Sequence, residues 1–206
     1  MEVTRRAQHT EDTRRSLLHG ARHEFTAKGY AATSLDDIAR RAGVTKGALY
    51  HHFDSKAALL EALYVELEQD AAEKVRVAID GAGTNPMARI GAAIEAFFNA
   101  SADPTYQRVV LRDAPLVLDR SQGRRLDHAI GLELVVDLIS SLQREGLVGQ
   151  LPTNMAARIF LAAICEVAMS EADSDEPQAV RREGMVVLGT MIEGILRATA
   201  STARRT

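Results

Sequence analysis

The sequence predicts an all-α fold of about nine helices, and three observations support this fold class. Apolar residues recur three or four positions apart through most of the chain, which is the spacing of one helix face. No stretch of any length alternates apolar and polar residues as a strand would. The periodic stretches are separated by helix-ending glycines and by cap-then-proline helix starts, as at Gly29, Asn85–Pro86, Asp103–Pro104 and Gly146.

The composition is that of a soluble globular protein. Hydrophobic residues make up 46% and charged residues 26% of the 206 residues, which permits a buried core in one or two domains. No apolar run approaches the roughly 18 residues of a membrane span, and the first residues lack the apolar centre of a signal peptide. We therefore expect a cytoplasmic protein with no membrane partner. A single cysteine, Cys165, cannot form an internal disulfide.

A long first helix is predicted from about Thr10 to Lys28, and two short helices joined by a tight turn follow within residues 33–56. Ser34 and Asp37 fit a capping box, in which the hydroxyl accepts an amide of the first turn and the carboxylate returns to the cap amide. Gly43 permits the left-handed backbone of a sharp turn. Thr45 then caps the second short helix.

The second short helix, residues 46–52, has one apolar side and one nearly bare side. At about 100° per residue, Leu49 and Phe53 fall on the inward side, whereas Gly47, Ala48 and His51 fall on the other. A solvated helix face normally carries long charged side chains, so a bare face suits a backbone that approaches a flat partner closely. This arrangement matches a helix-turn-helix whose recognition helix enters the DNA major groove.

The charge distribution agrees with nucleic-acid binding by the N-terminal part. Residues 1–60 hold ten basic and seven acidic residues, a net charge of +3, while the remainder holds 15 basic and 21 acidic residues, a net charge of −6. A charge of +3 gives weak, salt-sensitive affinity for DNA, so we expect two subunits to bind together.

The stretches GYAATS (29–34), DIARRAGVTKGALYHHF (37–53) and SKAALL (55–60) resemble the DNA-binding domain of the tetracycline-repressor (TetR) family of transcriptional regulators. The resemblance implies a dimer whose paired recognition helices, residues 46–52, enter successive major grooves of a palindromic double-stranded DNA operator. It also implies a small-molecule effector of unknown identity that releases the operator, and it favours a repressor. By position, the DNA contacts are Ser34, Thr45, Lys46, Gly47, Ala48, Tyr50, His51 and Lys56.

The same residues also have purely structural interpretations. Tyr50 fits a half-buried core tyrosine, and Ser34 and Thr45 fit helix caps without a ligand; for these three we expect both roles. Lys46 and Tyr50, one turn apart, are expected to flank a phosphate, and His51 to reach a base edge. Ser34 and Lys56 correspond to phosphate clamps at helix starts.

The predicted domains are a helix-turn-helix domain over residues 1–60 and a helical ligand-binding and dimerisation domain over residues 61–206. Pro115 is expected to prevent one straight helix after Pro104. The remaining helices are predicted from about Lys56 to Asp80, Pro86 to Ala102, Pro104 to Leu111, Ser121 to Glu145, Asn154 to Glu171 and Pro177 to Ala200.

Polar residues within apolar helices are candidates for orienting the effector. Alternatives remain open: Arg112 with Asp113 or Asp119 as a plain ion pair, and Glu133 and Glu166 in solvent or at a dimer interface. The candidates are Phe97, Arg112, Asp113, His128, Glu133, Glu166 and Met169.

The last two helices carry more apolar surface than one inward face requires. They form the centre of the C-terminal core, or part of a homodimer interface, or both, since two helices from each subunit make a four-helix bundle.

The alternative function is an all-helical enzyme or small-molecule carrier in which the helix-turn-helix only packs. The sequence lacks a Ser-His-Asp arrangement, a glycine-rich phosphate loop and the paired Glu-x-x-His of a di-iron bundle. His19 and His23, one turn apart, have no third metal ligand nearby in sequence. We therefore expect no catalytic residue, no metal and no cofactor.

Overall fold

The computed structural model describes the backbone of residues 5–118 and 120–203 and the side chains of residues 7–118 and 130–196. Within these ranges every regular element is helical, which confirms the all-α class and the expected number of about nine helices. They are α1 (Arg5–Ala32), α2 (Leu35–Arg41), α3 (Lys46–His52), α4 (Lys56–Gly81), α5 (Pro86–Ser101), α6 (residues 104–117), α7 (Arg120–Arg144), α8 (Thr153–Asp173) and α9 (Pro177–Ala203). None of these helices, as far as they are described, has the length and hydropathy that a membrane crossing requires.

Helix α1 begins earlier and ends later than the sequence predicts. It starts at Arg5 instead of Thr10, and the Thr13 hydroxyl already donates to the carbonyl of His9, 2.8 Å away, across one helical turn. Gly29 interrupts the helix as expected, with φ 77° and ψ 167°, but a further helical turn reaches Ala32. The positive φ at Gly29 therefore bends the chain without ending the helical segment there.

The described chain packs into two compact units that do not follow the order of the sequence. The first unit comprises the residues up to Leu67 together with Asp103–Gly123, and the second comprises Glu68–Ala102 and the residues from Arg124 onward. Helix α6 thus belongs to the same unit as the helix-turn-helix. The functional division at residue 60 stays a prediction.

The first unit is built around one apolar core to which α1, α2, α3 and α4 all contribute. The inward positions predicted for α3 are confirmed, because Leu49 and Phe53 are buried, and Ile38 and Ala39 of α2 are buried as well. A Cβ at Gly20 would lie 3.1 Å from the carbonyl oxygen of Ile38, so α1 and α2 approach closely at this point. The fully buried core residues of this unit include Leu17, Ala21, Phe25, Ile38, Leu49, Leu59, Leu60 and Leu63.

Helix α6 is an α-helix whose middle is widened into a π-helix. It consists of Pro104–Tyr106, the π-helical Gln107–Asp113 and a last α-helical turn, Ala114–Val117. The amide of Ala114 bonds to the carbonyl of Val109, five residues back instead of four. Pro115 lies in the last α-helical turn, directly after the π-helical residues. The helical segment continues past the predicted end at Leu111 to Val117, so the chain accommodates the missing amide hydrogen of Pro115 next to a local widening and without a break.

The second unit contains α5, α8, α9, the end of α4 and α7 from Arg124 onward. Arg181 on α9 contacts two other helices of this unit. It forms an ion pair with the buried Glu171 at the end of α8, and it donates a hydrogen bond of 3.0 Å to the carbonyl of Phe98 in α5. Helices α8 and α9 run antiparallel in close contact, since a Cβ at Gly184 would lie 2.4 Å from the Val167 side chain.

Candidate nucleic-acid interface

Both short helices of the helix-turn-helix start at the predicted caps. The Asp37 amide donates to the Ser34 hydroxyl at 3.1 Å, and the Ala48 amide donates to the Thr45 hydroxyl at 3.2 Å. The Ser34 hydroxyl donates in turn to the Asp37 carboxylate at 2.9 Å, and this bond, aided by Lys28, holds the pKa of Asp37 below its usual range. The carboxylate therefore meets the cap hydroxyl, not the cap amide that the capping box predicts.

The turn and the outward face of α3 have the predicted shape. Gly43 adopts φ 69°, the left-handed conformation that favours glycine. On α3, Lys46, Gly47, Tyr50 and His51 are exposed, and Ala48 is half-buried. Tyr50 retains 47% of its surface. It is thus more exposed than the half-buried core tyrosine of the structural alternative.

No contact within the described chain requires glycine at position 47. A Cβ at Gly47 would meet only the Thr45 hydroxyl oxygen, at 4.0 Å, which is a distance without strain, and its φ is not in the left-handed region. Glycine inside a helix costs about 0.5–1 kcal/mol relative to alanine. The bare backbone at Gly47 therefore has no internal explanation and is available to an external partner.

Lys46 lies on the outward face of α3 but is paired within the chain. Its ammonium is 2.8 Å from a carboxylate oxygen of Asp36 on α2, and both side chains are 56% exposed. The hydrogen bond and the charge of Asp36 raise the pKa of Lys46. Because the pair is solvated, a DNA phosphate can compete with Asp36 for the ammonium.

Lys56 has a structural role that sequence reasoning missed. Its ammonium donates to the carbonyls of Tyr30 and Thr33, at 2.7 and 2.8 Å, and lies 4.2 Å from the centre of the Tyr30 ring. These contacts fix the start of α4 to the connection between α1 and α2. An ammonium has three donors, so one remains for the predicted phosphate contact. Tyr30, the aromatic residue directly after Gly29, was the sequence feature that could have indicated a contact between a ring and a lysine.

A buried carboxylate on α1 holds α2 in place. Glu24 is 4% exposed and forms ion pairs with Arg41 on α2 and with Lys28, whose ammonium is 2.7 Å away. The hydrogen bonds from Lys28 and then Arg41 lower the pKa of Glu24 despite its burial. This ion-pair cluster was not predicted, because the positions of Glu24 and Arg41 in the sequence do not reveal that α1 and α2 pack there.

The His51 and His52 rings lie at the end of α3, with their centres 5.7 Å apart and nearly perpendicular planes. The pKa of His52 is lowered by burial first, and by the neighbouring His51 and Arg14. Arg14 on α1 also lies over the Phe53 ring, 5.4 Å from its centre. His51 is exposed, so of the two it is the ring available to a base edge.

The effector candidates are distributed over both units. In the first unit, Arg112 is exposed, whereas Asp113 is buried and pairs with Arg108. Asp113 thus pairs with Arg108 in the described part, while Asp119, the other expected partner of Arg112, lies outside the described residues. In the second unit, Phe97 is half-buried against Phe98.

The remaining candidates of the second unit lie at its surface. Glu133 and Glu166 are exposed, and Met169 is 37% exposed. Their exposure agrees with the alternative of solvent or an interface. The side chain of His128 lies outside the part that the structure describes.

Two family descriptions match successive parts of the chain. Residues 17–63 match the bacterial regulatory proteins of the tetR family. Residues 87–195, more than half of the chain, match the family described as "Tetracyclin repressor-like, C-terminal domain". The chain belongs to the TetR family of transcriptional regulators. The resemblance predicted from residues 29–60 is thereby confirmed.

Individual TetR-family relatives match over different shares of the chain. The transcriptional regulator TtgR of Pseudomonas putida is 28% identical over 172 residues, which cover 79% of this chain and 81% of TtgR. The transcriptional activator FasR of Mycolicibacterium smegmatis is 39% identical over 89 residues, 43% of this chain and 40% of FasR. A crystal structure of a TetR-family regulator from Pectobacterium atrosepticum is 31% identical, with a TM-score of 0.80 over 91% of this chain and 96% of that one.

Proposed function

We propose that this TetR-family regulator is a cytoplasmic, non-enzymatic homodimer that represses transcription from a palindromic operator and leaves it when a small-molecule effector binds. The observation that carries the proposal is the outward face of α3, where Gly47 has an open backbone that no contact within the described chain explains. A protein surface that leaves helix backbone bare is suited to close approach by a DNA groove.

Each outward residue of the helix-turn-helix has a proposed role on DNA. Lys46 and Tyr50 flank one phosphate, since they lie one turn apart and both are exposed. His51 reads a base edge, and Gly47 and Ala48 allow the helix to enter the groove deeply. Thr45 and Lys56 contact phosphates at the helix starts with hydrogen-bond donors that the Thr45 cap and the Lys56 carbonyl contacts leave over. Ser34 contacts a phosphate when its hydroxyl turns away from the Asp37 carboxylate, to which it donates in the free protein.

The homodimer is proposed to form through the last two helices. Large apolar side chains are exposed on both: Met155 and Ile159 on α8 are 59% and 54% exposed, and Val186 and Val187 on α9 are 69% and 59% exposed. Apolar surface concentrated on two adjacent helices favours burial against another protein. A second copy doubles the modest positive charge of the DNA-binding part, and two α3 helices about one DNA turn apart read a palindrome.

The effector is proposed to bind in the C-terminal domain and to change the separation of the two α3 helices. Of the sequence-predicted contacts, those proposed for this domain are Phe97, His128 and Glu133. Arg112 and Asp113 belong to the first unit, and Glu166 and Met169 lie on the exposed face of α8. A relative named as an activator shows that TetR-family membership alone does not fix the direction of regulation. We propose repression because it needs only two properties: the dimer binds the operator, and the effector releases the dimer from it.

The test is a titration of the purified protein against DNA from upstream of its own coding region. We expect protection of one palindromic site, with affinity that falls as salt concentration rises, and loss of that protection when a thermal-shift screen supplies a stabilising ligand. Binding that ignores the palindrome would overturn the operator proposal. A ligand that stabilises the protein but leaves DNA affinity unchanged would overturn the effector coupling.

A further inference from the structure

The outward face of α8 carries a stripe of exposed residues at regular spacing. Met155, Ile159, Ala162, Glu166 and Met169 are all exposed. Successive members are four, three, four and three residues apart, which keeps them on one side of the helix. Three of the five are large apolar side chains between 37% and 59% exposed. This spacing is typical of a helix that packs lengthwise against another helix.

Two opposite charges stand on this face. Glu166 lies within the stripe, and Arg158, also exposed, flanks it. Among the residues whose side chains are described, neither takes part in an ion pair, and Glu166 accepts a long hydrogen bond of 3.4 Å from the Ser170 hydroxyl. A charge inside an apolar seam selects the partner and the register that provide it with a counter-charge.

Two pairs of residues on this face lie at equal distances before and after Ala162. Met155 and Met169 lie seven residues before and after it, and Arg158 and Glu166 lie four residues before and after it. Four residues correspond to about 6 Å along the helix axis and about 40° around it. Arg158 and Glu166 therefore lie at equal distances from Ala162 in opposite directions, both within reach of a helix facing Ala162.

We propose that α8 packs antiparallel against α8 of a second copy, crossing at Ala162, so that Arg158 of each subunit pairs with Glu166 of the other. The inference rests on the homodimer proposed above and specifies its register. In an isologous interface, if residue i contacts residue j, then j contacts i. The crossing at Ala162 satisfies this rule for the charge pair and for the two methionines at once, since Met155 then meets the second copy's Met169.

The charges favour this direction over the parallel one. A parallel pairing of two α8 helices places Glu166 beside a second Glu166 and Arg158 beside a second Arg158, which is repulsive at both positions. The small side chain of Ala162 allows the backbones to approach at the crossing point, as small residues do where helices cross closely. Charge and shape thus select the same arrangement.

Charge reversal tests the register through the composition of the dimers. The variants Glu166→Arg and Arg158→Glu, each purified alone, place like charges together, and we expect their dimer dissociation constants to rise by about tenfold or more. Mixed together, the two variants pair Arg with Glu at both positions, so we expect heterodimers to predominate in native mass spectrometry. The matched control is the pair Glu95→Arg and Lys74→Glu, exposed residues of α5 and α4, which should give a statistical mixture.

The outcomes separate this inference from the proposed function. A wild-type dimer that binds its palindrome, with variants that mix statistically, would overturn the register and leave the function standing. A wild-type protein that is monomeric and ignores the palindrome would overturn both. Far-ultraviolet circular dichroism of each variant checks that the exposed substitutions leave the helices folded.

Cross-linking tests the crossing point by itself. In a Cys165→Ser background, Ala162→Cys places two thiols at the crossing, so mild oxidation should produce a disulfide-linked dimer. Val77→Cys in the same background is the control, because Val77 is 61% exposed on α4 and is not on the proposed seam. Equal cross-linking of the two variants, or none at position 162 in a wild-type-like dimer, would contradict a crossing at Ala162.

Discussion

The backbone amide of Tyr30 donates a hydrogen bond of 2.8 Å to the carboxylate of Asp113. The two residues are 83 positions apart, yet both belong to the first compact unit. Arg108 donates to the same carboxylate oxygen at 3.2 Å, and a Cβ at Gly29 would lie 1.6 Å from the Arg108 guanidinium. The π-helical part of α6 is therefore held against the last turn of α1. The carbonyl of the same Tyr30 accepts the hydrogen bond from Lys56.

Removing the Asp113 carboxylate should destabilise the DNA-binding unit. In Asp113→Ala the Tyr30 amide loses its acceptor and Arg108 loses its counter-charge. We expect a loss of about 1–3 kcal/mol in the free energy of unfolding, measured by urea denaturation. The control Asp80→Ala removes an exposed carboxylate of α4 and should change stability by less than about 0.5 kcal/mol. Equal losses of unfolding free energy for the two variants would show that the contacts of Asp113 with Tyr30 and Arg108 do not stabilise the unit.

Gly47→Ala should separate stability from DNA binding. The added methyl group meets no strain within the described chain, so it should raise the free energy of unfolding by about 0.5–1 kcal/mol. The same methyl group occupies the space proposed for the DNA groove, so operator affinity should fall, as measured by fluorescence anisotropy.

The matched control for this substitution is Gly91→Ala in α5. A Cβ at Gly91 also meets nothing within 4 Å, so a similar gain in stability is expected there with unchanged operator affinity. Unchanged affinity in Gly47→Ala would show that the bare face does not approach DNA.

Lys46→Ala and His51→Ala should affect DNA binding in different ways. Loss of a phosphate contact by Lys46 weakens binding to all sequences and reduces the slope of log affinity against log salt by about 1. Loss of His51 should instead change which base is preferred at one operator position. Titrations against a set of single-base operator variants at several salt concentrations distinguish the two. A uniform effect of His51→Ala across that set would refute its role as a base reader.

The contrast between Lys46 and Lys56 shows how far the sequence predicts this site. The caps at Ser34 and Thr45 and the turn at Gly43 depend on neighbours within a few residues, so the spacing of residue types was enough to predict them. The carbonyl contacts of Lys56 and the burial of Asp113 depend on segments that are distant in sequence. Arg108 and Asp113 face each other because the helix is locally π-helical, with backbone hydrogen bonds between residues five apart, which the α-helical periodicity of 3.6 residues did not indicate.

Lys56→Ala should therefore lower stability as well as DNA affinity. The substitution removes two hydrogen bonds to the carbonyls of Tyr30 and Thr33 and the contact with the Tyr30 ring. A destabilisation of about 1–3 kcal/mol is expected from these losses, whereas Lys46→Ala, on an exposed pair, should leave the melting temperature nearly unchanged. The measurement is thermal unfolding of both variants under one buffer condition. Identical melting temperatures would show that Lys56 contributes to DNA binding and not to stability.

The Glu24 cluster should make the stability of this unit depend on pH in the acid range. Lys28 and Arg41 lower the pKa of Glu24 in the folded protein below its ordinary value of 4.5, so the folded state favours the ionised carboxylate. The resulting stabilisation is fully present above the unfolded pKa and is lost as pH falls through the lower, folded pKa. In Glu24→Gln the buried site keeps its shape but has no charge to titrate, so the decrease of unfolding free energy below about pH 4.5 should be shallower than in the wild type. Urea denaturation of both proteins between about pH 3 and pH 7 measures this difference, and parallel curves would show that the cluster does not stabilise the packing of α2 on α1.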